Sequence, residues 1–597
     1  MPPNPDEISG RMKDNMTSDI LDIVRNPGQV LDLAKSDPKG AEALWNGFER
    51  PVRLRAILAS PAPDRLRLLA LAKDSRALVR DLAADEFAAT VLELGPEDAG
   101  MLLARSSDKQ LNYLLDLTGW VKDKFAPERY AVWLPLLLEG GSERLHRWLS
   151  SVDLEVLTLL SAHWFHVVKF LPSQEEQEPP DDLPQFTLDG IYFIEFRNEK
   201  TSSFVAQILV HMQAELPKLY GALMEAMLWE SAAQIADDAV RWRRGRLMDQ
   251  GFPDRLEALE LWAKSLPGEA DWLQMTPKVE RAFPEHAPPR SDAALMLLPR
   301  GELLPSLAAE LEGEAADRLR AELTYVANCG VVALEADPAF PEEVSRAAKE
   351  SLGLASLGLG VLSAGDQAQA RDILARVGVA ALARRGAQAL RELNRRAWEL
   401  VNEGWLKKVP IGLHVLDYPL DRQVAGLVFH RPRCFDPSLG ENREYRAFYG
   451  LADLEQARRA LAQAEFWGVI LFDLMGLNHE QVDGLMRANV WPEDRKEIKI
   501  SSLLGTWLAR RALGLPGLEP LPAASINRAV ELLQEGLAGP LSKEVLESCR
   551  MLSDPAEAAL AGDLLRGALN HLAQELGGLD PAAALEPAFM AGLVVER

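Results

Sequence analysis

The stretch from Ser75 to Thr118 repeats one apolar spacing every twelve residues, and this limits the folds open to the chain. Each unit has residues at i, i+3, i+4 and i+7, which form one face of a short helix. Helices of about two turns are unstable alone in water, so they must pack on one another. The sequence therefore predicts stacked short helices that bury four sets of residues: Ser75, Leu78, Val79 and Leu82; Phe87, Thr90, Val91 and Leu94; Ala99, Leu102, Leu103 and Ser106; Leu111, Leu114, Leu115 and Thr118.

The boundaries between these units carry residues that favour the start of a helix. Ser107, with Gln110 three residues later, predicts a capping box, in which each side chain accepts a hydrogen bond from the other residue's backbone N–H. Glu97 and Asp98 place negative charge at a helix N-terminus, where the helix dipole favours it. The local chemistry and the apolar period therefore predict the same short helices.

The rest of the chain also has mainly helical periodicity, so we expect an all-α fold. The exception is FTLDGIYFIEF at residues 186–196, where aromatic and β-branched residues surround Asp189 and Gly190 and predict a short strand or hairpin. Proline-rich stretches mark the boundaries between regions. The predicted order is a disordered tail at 1–16, a short-helix superhelical repeat domain at 17–171, an acidic proline-rich linker at 172–185, a middle helical region at 186–265, a linker at 266–291, a helical domain at 292–514 and a C-terminal helical region at 515–597.

The composition is that of a folded protein with a large core, since 48% of the 597 residues are hydrophobic and 26% are charged. The net charge of −24 disfavours binding to nucleic acid or to an anionic membrane. The chain has only three cysteines, more than a hundred residues apart, which is typical of a reducing compartment. With neither an apolar signal segment nor a membrane-length apolar run, we expect a cytoplasmic protein, and no motif indicates a cofactor.

The densest group of cationic residues is Arg241, Arg243, Arg244 and Arg246, which surround Trp242. Guanidinium groups bind carboxylates and phosphates through two hydrogen bonds, and tryptophan stacks on bases or cations. The cluster is therefore a candidate site for an anion, an acidic partner or nucleic acid. The interpretation that we favour is structural, with the arginines paired to acidic residues nearby along the chain.

His163 and His166 are candidate metal ligands, because the i, i+3 spacing would place both imidazoles on one face of a helix. A metal site needs at least a third ligand, and no further residue stands at a spacing that supplies one. The alternative is that both histidines pack among the neighbouring aromatic residues. We therefore predict no metal site.

Two functional hypotheses follow from the sequence. The first is an interaction or regulatory scaffold, in which stacked helices present an extended surface to a protein partner. The second is an enzyme or ligand-binding protein with an anion-binding pocket at the Arg241–Arg246 cluster. The sequence has no phosphate-binding loop, no nucleophile elbow and no paired-cysteine motif, so we favour the scaffold and expect no catalytic residues.

Two resemblances to known families add to this interpretation. Residues 82–117, LAADEFAATVLELGPEDAGMLLARSSDKQLNYLLDL, resemble the short-helix superhelix of MgtE-type magnesium transporters and of the flagellar motor switch protein FliG. That resemblance implies a regulatory or protein-binding scaffold. The stretches FTLDGIYF, RWRRGRLMDQGFP and YRAFYGLADLEQARRAL resemble an uncharacterised bacterial family defined as a domain of unknown function, from about Val52 onward. That second resemblance implies a helical protein and no particular activity.

Overall fold

The computed structural model describes residues 26–171, 183–263, 291–440, 443–549, 552, 554–590 and 592–597. The predicted tail at 1–16 and nearly all of the predicted linkers at 172–185 and 266–291 lie outside these residues. The fold is mainly α-helical with a few small strands, as expected. The chain divides into two compact units, formed by residues 1–355 with 367–384 and by residues 356–366 with 385–597.

The first unit begins with eight short helices. They are α1 (Gly28–Ser36), α2 (Pro38–Gly47), α3 (Arg50–Leu58), α4 (Ala62–Leu71), α5 (Ser75–Asp81), α6 (Ala84–Leu94), α7 (Gly100–Arg105) and α8 (Asp108–Thr118). From α3 to α8, each helix packs against the next helix but one, so that alternate helices form the two rows of a stack. Prolines lie in the first turn of α2, α3 and α4. Backbone N–H groups of the first turn have no acceptor within the helix, so a proline there costs no hydrogen bond.

The apolar positions of the twelve-residue repeat are buried as predicted, apart from Leu94, which is half-buried. Burial of each leucine contributes on the order of 1.5–3 kcal/mol, so the stack is held together by its repeat. The capping box at the start of α8 is also confirmed, since the Ser107 side chain accepts from Gln110 N and the Gln110 side chain accepts from Ser107 N.

The remaining elements of the first unit include the three strands of a small antiparallel sheet. They are β1 (Trp120–Val121), β2 (Lys124–Phe125), α9 (Pro127–Ala131), α10 (Leu134–Glu139), α11 (Ser142–Ser151), α12 (Leu154–Trp164), β3 (Phe165–Lys169), β4 (Phe186–Thr187), β5 (Tyr192–Phe196), α13 (Glu199–Glu215), α14 (Pro217–Trp229), α15 (Ala232–Asp249), α16 (Arg255–Ala263), α17 (Ala293–Met296), α18 (Leu303–Ala308), α19 (Gly313–Ala333), α20 (Pro341–Ser363), α21 (Gln367–Arg376) and α22 (Val379–Asn402); α20 and α22 also give residues to the second unit.

The predicted β element is confirmed as β4 and β5, with the order β3-β5-β4 in the sheet. Between them, the Asp189 carboxylate accepts from the backbone N–H groups of Ile191 and Tyr192, and Gly190 takes the left-handed φ of +71°. Glycine adopts this conformation without the steric cost of a side chain. The third strand, β3, was not expected, because its five residues directly continue a helical pattern.

The second unit contains α23 (Leu420–Val428), β6 (Cys434–Phe435), β7 (Tyr445–Arg446), α24 (Leu451–Gly468) followed by a π-helical turn (Val469–Leu474), α25 (His479–Arg487), β8 (Val490–Trp491), α26 (Ile500–Ala512), α27 (Ile526–Leu537), α28 (Pro540–Ser548), α29 (Pro555–Gly577) and β9 (Val595–Glu596). Short 3₁₀ turns lie at Trp405–Lys408, Gly412–Val415, Pro437–Leu439, Arg495–Glu497, Ala523–Ser525 and Pro587–Phe589. The last strand pairs with β8, and Val594 N donates to Thr506 Oγ1 at 2.8 Å. This bond ties the C-terminal segment to α26.

Within the described part of the chain, no single helix has both the length and the apolar character needed to cross a membrane. One bent pair, Leu451–Leu474 with His479–Arg487, meets these limits only when its two helices are taken together.

Candidate functional site

The arginine cluster lies on α15, and the helical period divides its members between two faces. Ile235, Ala239 and Arg243 follow one another at four-residue intervals and are buried, and Arg246 is one turn further on. Arg241 and Arg244 lie on the exposed side of the same helix. The cluster is therefore two buried or half-buried guanidinium groups and two exposed ones.

Arg243 is 7% exposed, and its guanidinium group bonds to backbone carbonyls of the same unit. Its Nε donates to Asp116 O at 2.8 Å, and its Nη1 donates to Lys122 O at 3.0 Å. Its Cζ lies 5.1 Å from the centre of the Trp120 ring, within the range of a cation–π contact. Burial lowers the pKa of Arg243. Through its two hydrogen bonds, Arg243 binds the end of α8 and the β1–β2 turn to α15.

Arg246 forms a two-bonded ion pair with Asp116 of α8. Its Nε and Nη2 donate to the two carboxylate oxygens at 2.7 and 2.8 Å, and its Nη1 donates to Asp153 at the start of α12. The Asp116 side chain is 6% exposed, so its charge depends on this partner. Burial acts to lower the pKa of Arg246, but the two carboxylates outweigh burial and hold it above its ordinary value.

The exposed residues of the cluster form a surface that we call the outer face of α15, defined by Arg241, Trp242, Arg244 and Met248. Trp242 is 51% exposed and Met248 is 44% exposed. Arg241 pairs with Asp238 one turn earlier, and its Cζ lies 5.7 Å from the centre of the Trp242 ring.

Arg244 extends from this face to the β1–β2 turn. Its Nη2 lies 2.6 Å from Asp123 Oδ2, and both side chains are about three-fifths exposed, at 60% and 59%. An exposed ion pair of this kind contributes at most about 1 kcal/mol. The outer face thus combines an aromatic ring, a methionine and two weakly held guanidinium groups.

The two candidate metal-binding histidines do not share a helix face, and that expectation was wrong. Helix α12 ends at Trp164, so His163 is in the helix, but His166 is in β3, opposite Glu195 of β5. The helix gives way to a strand because Phe165, Val167 and Val168 favour extended backbone and pair with β5. Over the residues that the structure describes, no group of three or more histidine, cysteine or acidic residues could hold a metal ion.

Most acidic partners of the arginines belong to elements far away along the chain, and the sequence analysis did not predict them. The sequence suggested acids nearby along the chain, and this holds only for Arg241 with Asp238. Asp116, Asp123 and Asp153 lie 93 to 130 residues away from the arginines that they bind. A signal existed at Asp116, which is a carboxylate between Leu115 and Leu117 in the last unit of the repeat.

The fold and the cluster together define a mainly α-helical protein built on a stack of short helices, with α15 fixed to the stack by Arg243 and Arg246. The chain belongs to a family of unknown function, DUF6178, since the model of that family matches residues 42–596. This confirms the expected membership in such a family. No curated protein and no solved structure matches the chain, so the resemblance of residues 82–117 to MgtE-type transporters and FliG stays a prediction.

Proposed function

We propose that this protein is a cytoplasmic interaction scaffold and that the outer face of α15 binds a protein partner. The observation that carries the proposal is the exposure of Trp242 and Met248 beside Arg241 and Arg244 on one helix. Tryptophan and arginine dominate the binding energy of protein interfaces, and methionine adapts to irregular apolar surfaces. The cytoplasmic location rests on the wide spacing of the three cysteines.

The anchoring of α15 supports this proposal. Arg243 and Arg246 hold the inner side of the helix against α8, and α15 also packs on α12 and β2. A surface that is already rigid loses little conformational entropy on binding. The outer face is therefore preorganised by the buried half of the same arginine cluster.

An anion-binding pocket at the cluster has less support. Arg243 and Arg246 already donate to carbonyls and carboxylates of their own unit, which leaves few of their N–H groups for a ligand. Arg241 and Arg244 are exposed and extend toward acids on either side. This arrangement suits contact with a surface better than enclosure of a small anion.

The test is native affinity purification from cells that normally produce the protein, with bound proteins quantified by mass spectrometry. The bait proteins are the wild type, Trp242→Ala and, as a matched control, Trp398→Ala, which removes a tryptophan that is 48% exposed on α22. Loss of an interface tryptophan costs about 2 kcal/mol or more. We therefore expect Trp242→Ala to weaken binding by roughly thirtyfold.

The proposal predicts one near-stoichiometric partner with the wild type and with Trp398→Ala, and its loss with Trp242→Ala. Recovery of no such partner from folded wild type would contradict the scaffold role. Equal recovery with Trp242→Ala would contradict the outer face of α15 as the contact surface.

A further inference from the structure

Four arginines from two helices of the first unit come together, and no part of the proposed function uses them. Arg76 and Arg80 lie four residues apart on α5, and Arg144 and Arg147 lie three residues apart on α11. Residues at these spacings are neighbours on one face of a helix. We call these four residues the α5–α11 arginine cluster.

The two arginines of α11 are held by the start of α8. Asp108 Oδ1 accepts from Arg144 Nη1 at 3.0 Å and from Arg147 Nη2 at 2.7 Å. Arg144 is 3% exposed, and its Nη2 also donates to Ser106 Oγ at 2.8 Å. These bonds join α8 to α11, so Arg144 has a structural role.

The two arginines of α5 are held much more weakly. Arg76 Nη2 lies 3.6 Å from Glu143 Oε1 at the start of α11, and both side chains are more than half exposed. Arg80 is exposed, and among the described residues it has no hydrogen-bond partner and no carboxylate within 4.0 Å. The adjacent acid, Asp81, pairs instead with Arg50 of α3 at 2.5 Å. Arg80 therefore has no structural partner of its own.

The positive charges of the two helices act on one another. Partial burial, followed by the charges of Arg76 and Arg147, lowers the pKa of Arg80. Burial and the charge of Arg147 also lower the pKa of Arg144, to about 10. A lowered arginine pKa means that the surroundings disfavour the charged form. An anion beside the cluster would offset this repulsion.

The charge of the α5–α11 arginine cluster is positive in a protein whose net charge is −24. Its four guanidinium groups and the two carboxylates that contact them, those of Asp108 and Glu143, leave a charge of +2. A phosphomonoester carries about −1.5 to −2 at pH 7, which matches this charge. A carboxylate or a phosphodiester carries a single negative charge and matches it less well.

The cluster also has N–H groups available for such a ligand. Both side-chain hydrogen bonds of Arg147 to described residues come from Nη2, so its Nε and Nη1 remain available. All the donors of Arg80 are available as well. Guanidinium groups bind phosphate through two parallel hydrogen bonds, and two of them on different helices can hold one phosphate from two sides.

We infer that the α5–α11 arginine cluster binds a phosphomonoester group, with Arg80 and Arg147 as the main ligands. The observation that carries this inference is an exposed, unpaired Arg80 beside three like charges. Like charges at helical spacing destabilise a helix, so a structural role does not explain this arrangement. The site goes beyond the proposed function, because it shares no residue with the outer face of α15 and binds a different chemical group.

The test is isothermal titration calorimetry on the full-length protein. The probes are inorganic phosphate and a five-residue peptide of alanine and glycine with phosphoserine at its centre. The same peptide with glutamate at its centre and a pentathymidylate serve as comparison probes, because they carry carboxylate and phosphodiester groups. The variants are Arg80→Ala and Glu143→Gln. Their matched control is Arg566→Ala, which removes an arginine whose side chain is 59% exposed on α29.

The inference predicts that a phosphate probe binds the wild type and Arg566→Ala equally and binds Arg80→Ala about tenfold more weakly. Glu143→Gln removes a competing carboxylate, so it should tighten binding by about threefold. The urea unfolding midpoint of Arg80→Ala should equal that of the wild type, because Arg80 has no bond to lose. Tighter binding of the peptide would identify phosphorylated protein as the source of the group, and equal binding would identify free phosphate.

Three results would overturn the inference. The first is no binding of either phosphate probe, and the second is binding of the glutamate peptide or the pentathymidylate as tight as that of the phosphoserine peptide. The third is unchanged binding, or a large loss of stability, in Arg80→Ala. None of these results bears on Trp242, so the two proposals fail separately.

Discussion

Removing the Arg246 side chain tests whether the arginine cluster stabilises the fold. Arg246→Ala leaves the Asp116 carboxylate, whose side chain is 6% exposed, without its two-bonded partner. Breaking a buried ion pair from one side costs roughly 3–5 kcal/mol. The Arg246 side chain is one-third exposed, so water reaches part of the site and we expect about 3 kcal/mol, the lower end of that range.

Arg241→Ala is the matched control on the same helix. The Arg241 side chain is 70% exposed and pairs only with Asp238 one turn away. Such pairs contribute about 0.3–0.5 kcal/mol. The two variants thus remove the same chemical group from the two sides of α15, and the expected losses differ by a factor of about six or more.

The assay is equilibrium unfolding in urea, followed by far-ultraviolet circular dichroism. Urea is preferred to guanidinium because an ionic denaturant would screen the ion pair under study. A shift of the midpoint at constant slope reports a change in the free energy of unfolding. The double variant Asp116→Asn with Arg246→Ala should be more stable than Arg246→Ala alone, because a neutral amide is less costly to leave buried than a carboxylate.

Equal losses for Arg246→Ala and Arg241→Ala would refute this reasoning. So would a double variant that is less stable than Arg246→Ala. In either case the contacts of Arg246 would not hold α15 against α8.

Three further predictions concern the stack of short helices. Leu102→Ala should lower the free energy of unfolding by about 2–5 kcal/mol, measured in urea, because Leu102 is fully buried between helices. Ser107→Ala should cost about 1 kcal/mol in the same assay, since it removes the side chain that caps α8. The hydrogen bond from Arg53 holds the pKa of Asp74 below its ordinary value of 3.8. The pair therefore stabilises the fold above pH 3.8, and this contribution is lost as the pH falls through the lower pKa of the folded state. Asp74→Asn should lower the free energy of unfolding at neutral pH and have no effect in acid, when urea unfolding is measured across pH.

The apolar period predicted the stack of short helices well because the same apolar spacing recurs in all four units. Fifteen of the sixteen repeat positions are buried, since the period alone decides which side of a short helix meets its neighbours. The β element at 186–196 was also predicted correctly, because aromatic and β-branched residues flank Asp189 and Gly190. Local pattern was sufficient in both cases.

Pairings between distant residues could not be predicted from local pattern. Strand β3 forms only because Phe165–Lys169 pairs with β5 more than twenty residues later, and its sequence follows a helix without a break. In the same way, Arg246 and Asp116 are 130 residues apart. The spacing of Ile235, Ala239 and Arg243 predicts that Arg243 lies on the apolar side of α15. The sequence does not predict the carbonyl oxygens that accept its hydrogen bonds, which belong to Asp116 and Lys122.

The measurement that tests the central claim most directly is side-chain footprinting by hydroxyl radicals, carried out on the purified protein and inside the cells that produce it. If the outer face of α15 binds a partner, Trp242 and Met248 are oxidised in the purified protein and protected in cells, whereas Trp398 is oxidised in both and the buried Trp120 in neither. Equal oxidation of Trp242 and Met248 in the two conditions would contradict the account.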